Sequence, residues 1–290
     1  MEGRLLCCES VTELRARADP VLMQSRVLMK LLALEERYIP SASYFRCVQR
    51  DIQPYMRHML TCWMLEVCED QKCGEEVFPL AVNCLDRYLS LVPVEKRHLQ
   101  LLGATCLFLA SKLRESKPMT AESLCMYSDH CFTDKELLAM ELLVLNKLKW
   151  DLEVVTPREY LPHFLELLNI PAEKRLQVRK HSETFFLSFL ADCTFIALPP
   201  SMVAAASVAA AVTGLQLQSP GPSYSSLASI NLLAHAIHCD PSLLRACQEQ
   251  IEISLESSVQ RAQRNRVSES KSVDEPERSS TPTDVQDIDL

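Results

Sequence analysis

The stretch from residue 55 to residue 68 reads YMRHMLTCWMLEVC, and ten of its fourteen residues are apolar. At about 3.6 residues per turn, its polar members Arg57, His58, Thr61 and Glu66 do not gather on one side. A helix with no wet face is either buried all round or shows an apolar strip to a partner. Met56, Met59, Leu60 and Trp63 fall at i, i+3, i+4 and i+7, so they form one stripe. Taken alone, that stripe suits a central core helix as well as a docking surface.

The flanking sequence repeats the helical pattern. Val21–Tyr38 has apolar residues at Val27, Leu28, Leu31, Leu34 and Tyr38, and Pro40 stops it. Further helices are predicted over 53–70, 75–91, 96–113, 120–128 and 133–148. Thr133 followed by Glu136 is a capping box. Thr156-Pro157-Arg158-Glu159 joins a Thr cap, a Pro at the first helical position and a Glu at the third, and opens a new unit. From there helices are predicted over 157–168, 172–196, 200–214, 224–238 and 241–262. One leading helix is followed by five and then five more, a duplicated bundle without a visible sequence repeat.

Composition agrees with an all-α fold. The 290 residues include only five glycines, where average usage gives roughly four times as many. Nucleotide-binding α/β folds and tight sheet turns need more. The Ala-rich run 202–217 is too short and too weakly apolar to span a bilayer, so it is read as a core helix. A formal charge of −8 and the lack of a Lys/Arg cluster exclude generic nucleic-acid binding. Thirteen scattered Cys without a CxxC pair read as reduced, small hydrophobes. No phosphate loop, zinc-protease, nucleophile-elbow or kinase motif is present, so nothing points to catalysis, a metal or a cofactor.

The ends differ from the middle. Residues 1–19 form a polar leader containing Leu5, Cys7 and Glu9, whose side chains share one side of an extended strand. Residues 265–290 hold seven acids against three bases and no aromatic residue. This tail cannot bury enough apolar surface to offset its ordering entropy and is expected to be disordered. Thr281-Pro282 lies within it. The expected units are therefore the leader 1–19, a first fold with its preceding helix over 20–151, a second fold over 152–264, and the tail 265–290.

MRHMLTCWMLEVCED at 56–70, NCLDRYLS at 83–90, LQLLGATCLFLASKLRE at 99–115 and MELLVLNKLKWDL at 140–152 resemble the cyclin box. With YFRCVQRDIQPYMR before them and STPTDVQDIDL at the end, they resemble the D-type cyclins over nearly the whole chain. The resemblance implies two tandem five-helix folds. It implies that Lys112 and Glu141 hold a cyclin-dependent kinase, of the kinds numbered four and six. It also implies that Met56, Arg57, Met59, Leu60, Trp63, Glu66, Leu99 and Gln100 dock basic–hydrophobic motifs of substrates and kinase-inhibitor proteins. Leu5, Cys7 and Glu9 match the LxCxE motif for retinoblastoma-family pocket proteins. Thr281 matches a phosphorylation site read by a ubiquitin ligase, and residence in nucleus and cytoplasm follows. No membrane or direct nucleic-acid partner is expected. The competing readings are a transcription-type cyclin-fold adaptor and a Cys-dependent redox enzyme; the acidic charge and scattered Cys speak against them.

Overall fold

The computed structural model describes residue 21, residues 23–215 and residues 226–255. These residues are all-α, and two bundles of five helices follow one another along the chain.

A leading helix α1 (Ser25–Glu35) continues into a 3-10 turn at Glu36–Tyr38, and a four-residue helix α2 (Tyr44–Cys47) follows. The first bundle comprises α3 (Pro54–Asp70), α4 (Val77–Leu89), α5 (Leu99–Arg114), α6 (Ala121–Tyr127) and α7 (Asp134–Lys147). The second comprises α8 (Pro157–Leu167), α9 (Ala172–Leu190), α10 (Pro200–Gly214), α11 (Ser226–Ala236) and α12 over 241–255. Each bundle has the same plan. α5 lies buried among α3, α4, α6 and α7, while α10 lies buried among α8, α9 and α11. Both central helices suit this position. α10 is built mainly from Ala, Ser and Val, so its neighbours approach closely. α5 carries Gly103, where an added Cβ would stand 2.7 Å from Leu60 Cδ1 of α3.

Local signals set the helix starts. Thr133 and Glu136 exchange hydrogen bonds as a capping box, and so do Thr156 and Glu159. Thr120 accepts from the backbone of Ser123. Helix ends are less ordinary because the chain is poor in Gly. In α3, α6, α7, α8 and α11 the amide three residues past the helix end bonds back five residues to a carbonyl, the Schellman closure. The residue before that amide is left-handed in every case: Lys72, Asp129, Lys149, Asn169 and His238, with φ between 50° and 55°. A non-Gly residue there costs roughly 1 kcal/mol.

Two expectations are corrected in detail. The helix predicted over 172–196 ends at Leu190, because the Asp192 carboxylate accepts from Thr194 N and Oγ1 and starts a new 3-10 turn at Cys193–Phe195. The short α2 carries no periodic signal and was not predicted.

The two cores meet. Leu187 and Leu190 of α9 pack against both. α1 lies against the second bundle, with Leu28, Leu31 and Leu32 on its core. There the buried Glu35 carboxylate accepts from Tyr160 OH at 2.9 Å, Ser201 N at 2.8 Å and Ser201 Oγ at 2.6 Å. A carboxylate at the start of α10 meets the positive end of that helix. Burial raises the Glu35 pKa, and its hydrogen bonds from Ser201 and Tyr160 only partly oppose this.

Candidate partner-docking site

Lys112 sits in the last turn of α5 and Glu141 in the middle of α7, and the packing of these two helices brings them together. Lys112 Nζ donates to Glu141 Oε1 at 2.7 Å. The same ammonium stands 3.8 Å from the centre of the Phe108 ring, one turn back on α5. Glu141 is largely covered at 12% side-chain exposure, whereas Lys112 keeps 40%. So the carboxylate fixes the lysine from below while the ammonium still reaches solvent with donors to spare. An ion pair this exposed adds little to folding stability. What it does is hold a charged donor in one position.

The surroundings are apolar and uncovered. Leu138 and Leu142 stand one turn apart on α7, with Leu143 beside them, and each is about half exposed. Leu113, next to Lys112, is exposed to a similar degree. A fixed cation on a helix face lined with bare leucines is the anatomy of a protein interface, with an apolar surface and an orienting polar group.

The second expected site divides on inspection. Met59 is 65% exposed, Glu66 is exposed, and Met56, Trp63 and Gln100 are half-buried. Leu60 and Leu99 are buried at 6% and can serve only as floor. Trp63 Nε1 donates to Tyr127 O at 3.3 Å, which sets the ring against α6. Trp63 and Tyr127 then line an open groove whose other walls are Glu66, Val67, Glu69 and Asp70.

Arg57 is not on that surface. It is 1% exposed and belongs to the core. Its Nε and Nη2 donate to Asp86 Oδ1 and Oδ2 at 2.8 and 2.7 Å, and Tyr44 OH donates to the same carboxylate at 3.0 Å. Nη1 reaches Ala191 O at 3.0 Å and Nη2 reaches Leu190 O at 2.9 Å, the last carbonyls of α9. The guanidinium thus caps a helix of the second bundle from within the first. Its planar fork satisfies all of these at once, which an ammonium could not. Sequence reasoning missed this, and Asp86 with it, because Arg is rarely buried unless paired and the partner lies 29 residues away. Leu5, Cys7, Glu9 and Thr281 lie outside the described residues.

Comparison with known proteins gives the same architecture a family. The profile of the cyclin N-terminal domain matches residues 26–153, and that of the cyclin C-terminal domain matches residues 155–282. The chain is 54% identical to the G1/S-specific cyclin-D1 of Danio rerio, covering 100% of both. The chain belongs to the D-type cyclins. It is 53% identical to the G1/S-specific cyclin-D2 of Xenopus laevis over 99% of each chain, so similarity does not single out a paralogue. Among solved structures, a viral cyclin from herpesvirus saimiri superposes with a TM-score of 0.71 at 27% identity, covering 80% of this chain and 97% of that one. This cyclin therefore belongs to a family of regulatory subunits, and the site is read as a binding surface rather than a catalytic one.

Proposed function

We propose that this D-type cyclin binds a cyclin-dependent protein kinase through the Lys112–Glu141 face and holds it in its active conformation. The observation that carries the reading is the tethered, solvent-facing ammonium of Lys112 among the exposed leucines of α5 and α7. The cyclin performs no chemistry. It shifts the kinase toward the state in which the β3 Lys–αC Glu pair is formed, and does so only to the extent that it binds that state better. The kinases are those numbered four and six, and the output is passage from G1 to S.

Three further contacts complete the proposal. Leu5, Cys7 and Glu9 engage retinoblastoma-family pocket proteins, the substrates. The stripe Met56, Met59 and Trp63 takes basic–hydrophobic motifs of substrates and inhibitors, and the carboxylates Glu66, Glu69 and Asp70 of the groove beside Trp63 suit the basic part. Phosphorylated Thr281 is read by a ubiquitin ligase, so level and distribution between nucleus and cytoplasm are set through the tail. The deciding experiment is co-purification from cell extract followed by a kinase assay on a retinoblastoma fragment. Recovery of no cyclin-dependent kinase would overturn the reading.

A further inference from the structure

A second charged feature lies at the C-terminal end of α7, one turn beyond Leu143. Arg37, Arg87, Lys147 and Lys149 line one pocket of about 480 Å³, together with a single carboxylate, Asp151. Four cations against one anion is an anomaly in a chain whose formal charge is −8. Ile39, Pro40 and Leu91 form an apolar part of the wall, and Leu91 is 60% exposed.

The two guanidiniums are held in place. Tyr38 gathers two guanidiniums, with the Arg37 carbon 5.5 Å and the Arg87 carbon 5.1 Å from its ring centre. Arg37 donates to Asp151 Oδ2 at 2.7 Å and Tyr38 OH donates to Oδ1 at 3.0 Å, so the only carboxylate is already engaged. Lys149 enters through the left-handed closure of α7, with φ 55°. Among the described residues no carboxylate pairs with Arg87, Lys147 or Lys149, and Arg87 Nη1 is buried without a hydrogen-bond partner. A buried guanidinium donor left unmatched is costly, and it leaves Arg87, which lines the pocket, short of an acceptor.

We propose that Arg37, Arg87, Lys147 and Lys149 form a binding site for a phosphate monoester carried on a peptide. A dianion offers several acceptor oxygens to the guanidinium forks and the ammonium groups, where a lone carboxylate leaves most donors unused. The apolar wall at Ile39, Pro40 and Leu91 gives the residues beside the phosphorylated one a surface that free phosphate would leave bare. Extended polyanions such as nucleic acid are disfavoured by the charge of the rest of the chain. The site is independent of the kinase reading.

The test uses the full chain with Thr281→Ala, so that its own tail stays unphosphorylated there. The probe is a labelled peptide of residues 274–290 bearing phosphate on Thr281, followed by fluorescence anisotropy. Its unphosphorylated form and inorganic phosphate are the comparison arms. The phosphopeptide should bind at least about tenfold more tightly than the plain peptide, and more weakly as salt rises. Arg87→Gln should cost about tenfold. Lys149→Asn should cost about the same, and because Asn tolerates a positive φ it keeps the loop intact should Arg87→Gln fail to fold. Equal binding of both peptides, or full binding by a folded Lys149→Asn, Lys147→Gln double variant, would overturn the assignment. So would binding of inorganic phosphate without any phosphopeptide binding, which would leave a free-anion site only.

Discussion

Arg57 and Asp86 meet in a two-pronged, fully buried ion pair, and the donors that Asp86 does not use close the end of α9 in the other bundle. Removing one partner leaves a desolvated charge with no answer. Asp86→Ala should destabilise the chain by about 3–5 kcal/mol, measured by urea unfolding. Arg57→Leu strands the Asp86 carboxylate and also frees the α9 carbonyls, so it should destabilise at least as much and loosen the contact between bundles. A change below about 1 kcal/mol in both variants would mean that the pair is not the bolt described here.

Lys112→Glu tests the proposed kinase face. Glu is a good helix former, so circular dichroism should be unchanged. Two carboxylates would then face each other and the ammonium donors would be gone. A lost charged contact at an interface typically costs about 2–5 kcal/mol. That is roughly thirty- to several-thousand-fold in affinity. Kinase co-purification and retinoblastoma phosphorylation should both disappear, while pocket-protein binding through the leader survives. A folded variant that activates the kinase normally would make Lys112 a mere surface charge.

The groove beside Trp63 predicts a separable loss. Met56→Ala with Trp63→Ala should weaken binding of basic–hydrophobic peptides while kinase binding stays largely intact. Because both side chains are half-buried, the melting temperature should drop but the helical signal should remain. If the double variant binds such peptides as well as the parent, the groove is not their site.

Glu35 gives a pH dependence with a definite sign. Its folded-state pKa is raised above the ordinary value of 4.5, so the folded chain holds the proton more tightly than the unfolded one. Stability from this group is therefore full below about that value and falls as pH rises through the raised folded pKa. Glu35→Gln keeps an acceptor for Tyr160 and Ser201 N and a donor for Ser201 Oγ, yet cannot titrate. It should flatten the pH–stability curve above pH 4.5. Glu35→Ala strands Tyr160 OH and Ser201 N and should cost about 1–3 kcal/mol for each. An unchanged slope in Glu35→Gln would assign the dependence to another group.

Much of this architecture can be read from the sequence because helix starts are written locally. Thr133 with Glu136 and Thr156 with Glu159 mark their own positions, and both capping boxes form. The count of five and five helices holds for the same reason. Helix ends are harder, because in a glycine-poor chain a Lys, Asp or His takes the left-handed place without announcing it. The neighbourhood of Lys112 and Glu141 came from the resemblance and not from spacing, since two charges 29 residues apart carry no pairing signal. Arg57 and Glu35 were illegible for a related reason. Each is a charged residue whose burial depends wholly on partners far along the chain.

The two buried charges also bear on how the molecule is made. Glu35 closes the beginning of α10, and Arg57 closes the end of α9. Both come from chain that precedes the second bundle and leaves the ribosome before it. The later part must thus wait for groups already in place before its helices are closed. A fragment beginning at residue 152 should fray at those two helix ends, and the intact protein should melt in one cooperative transition instead of two.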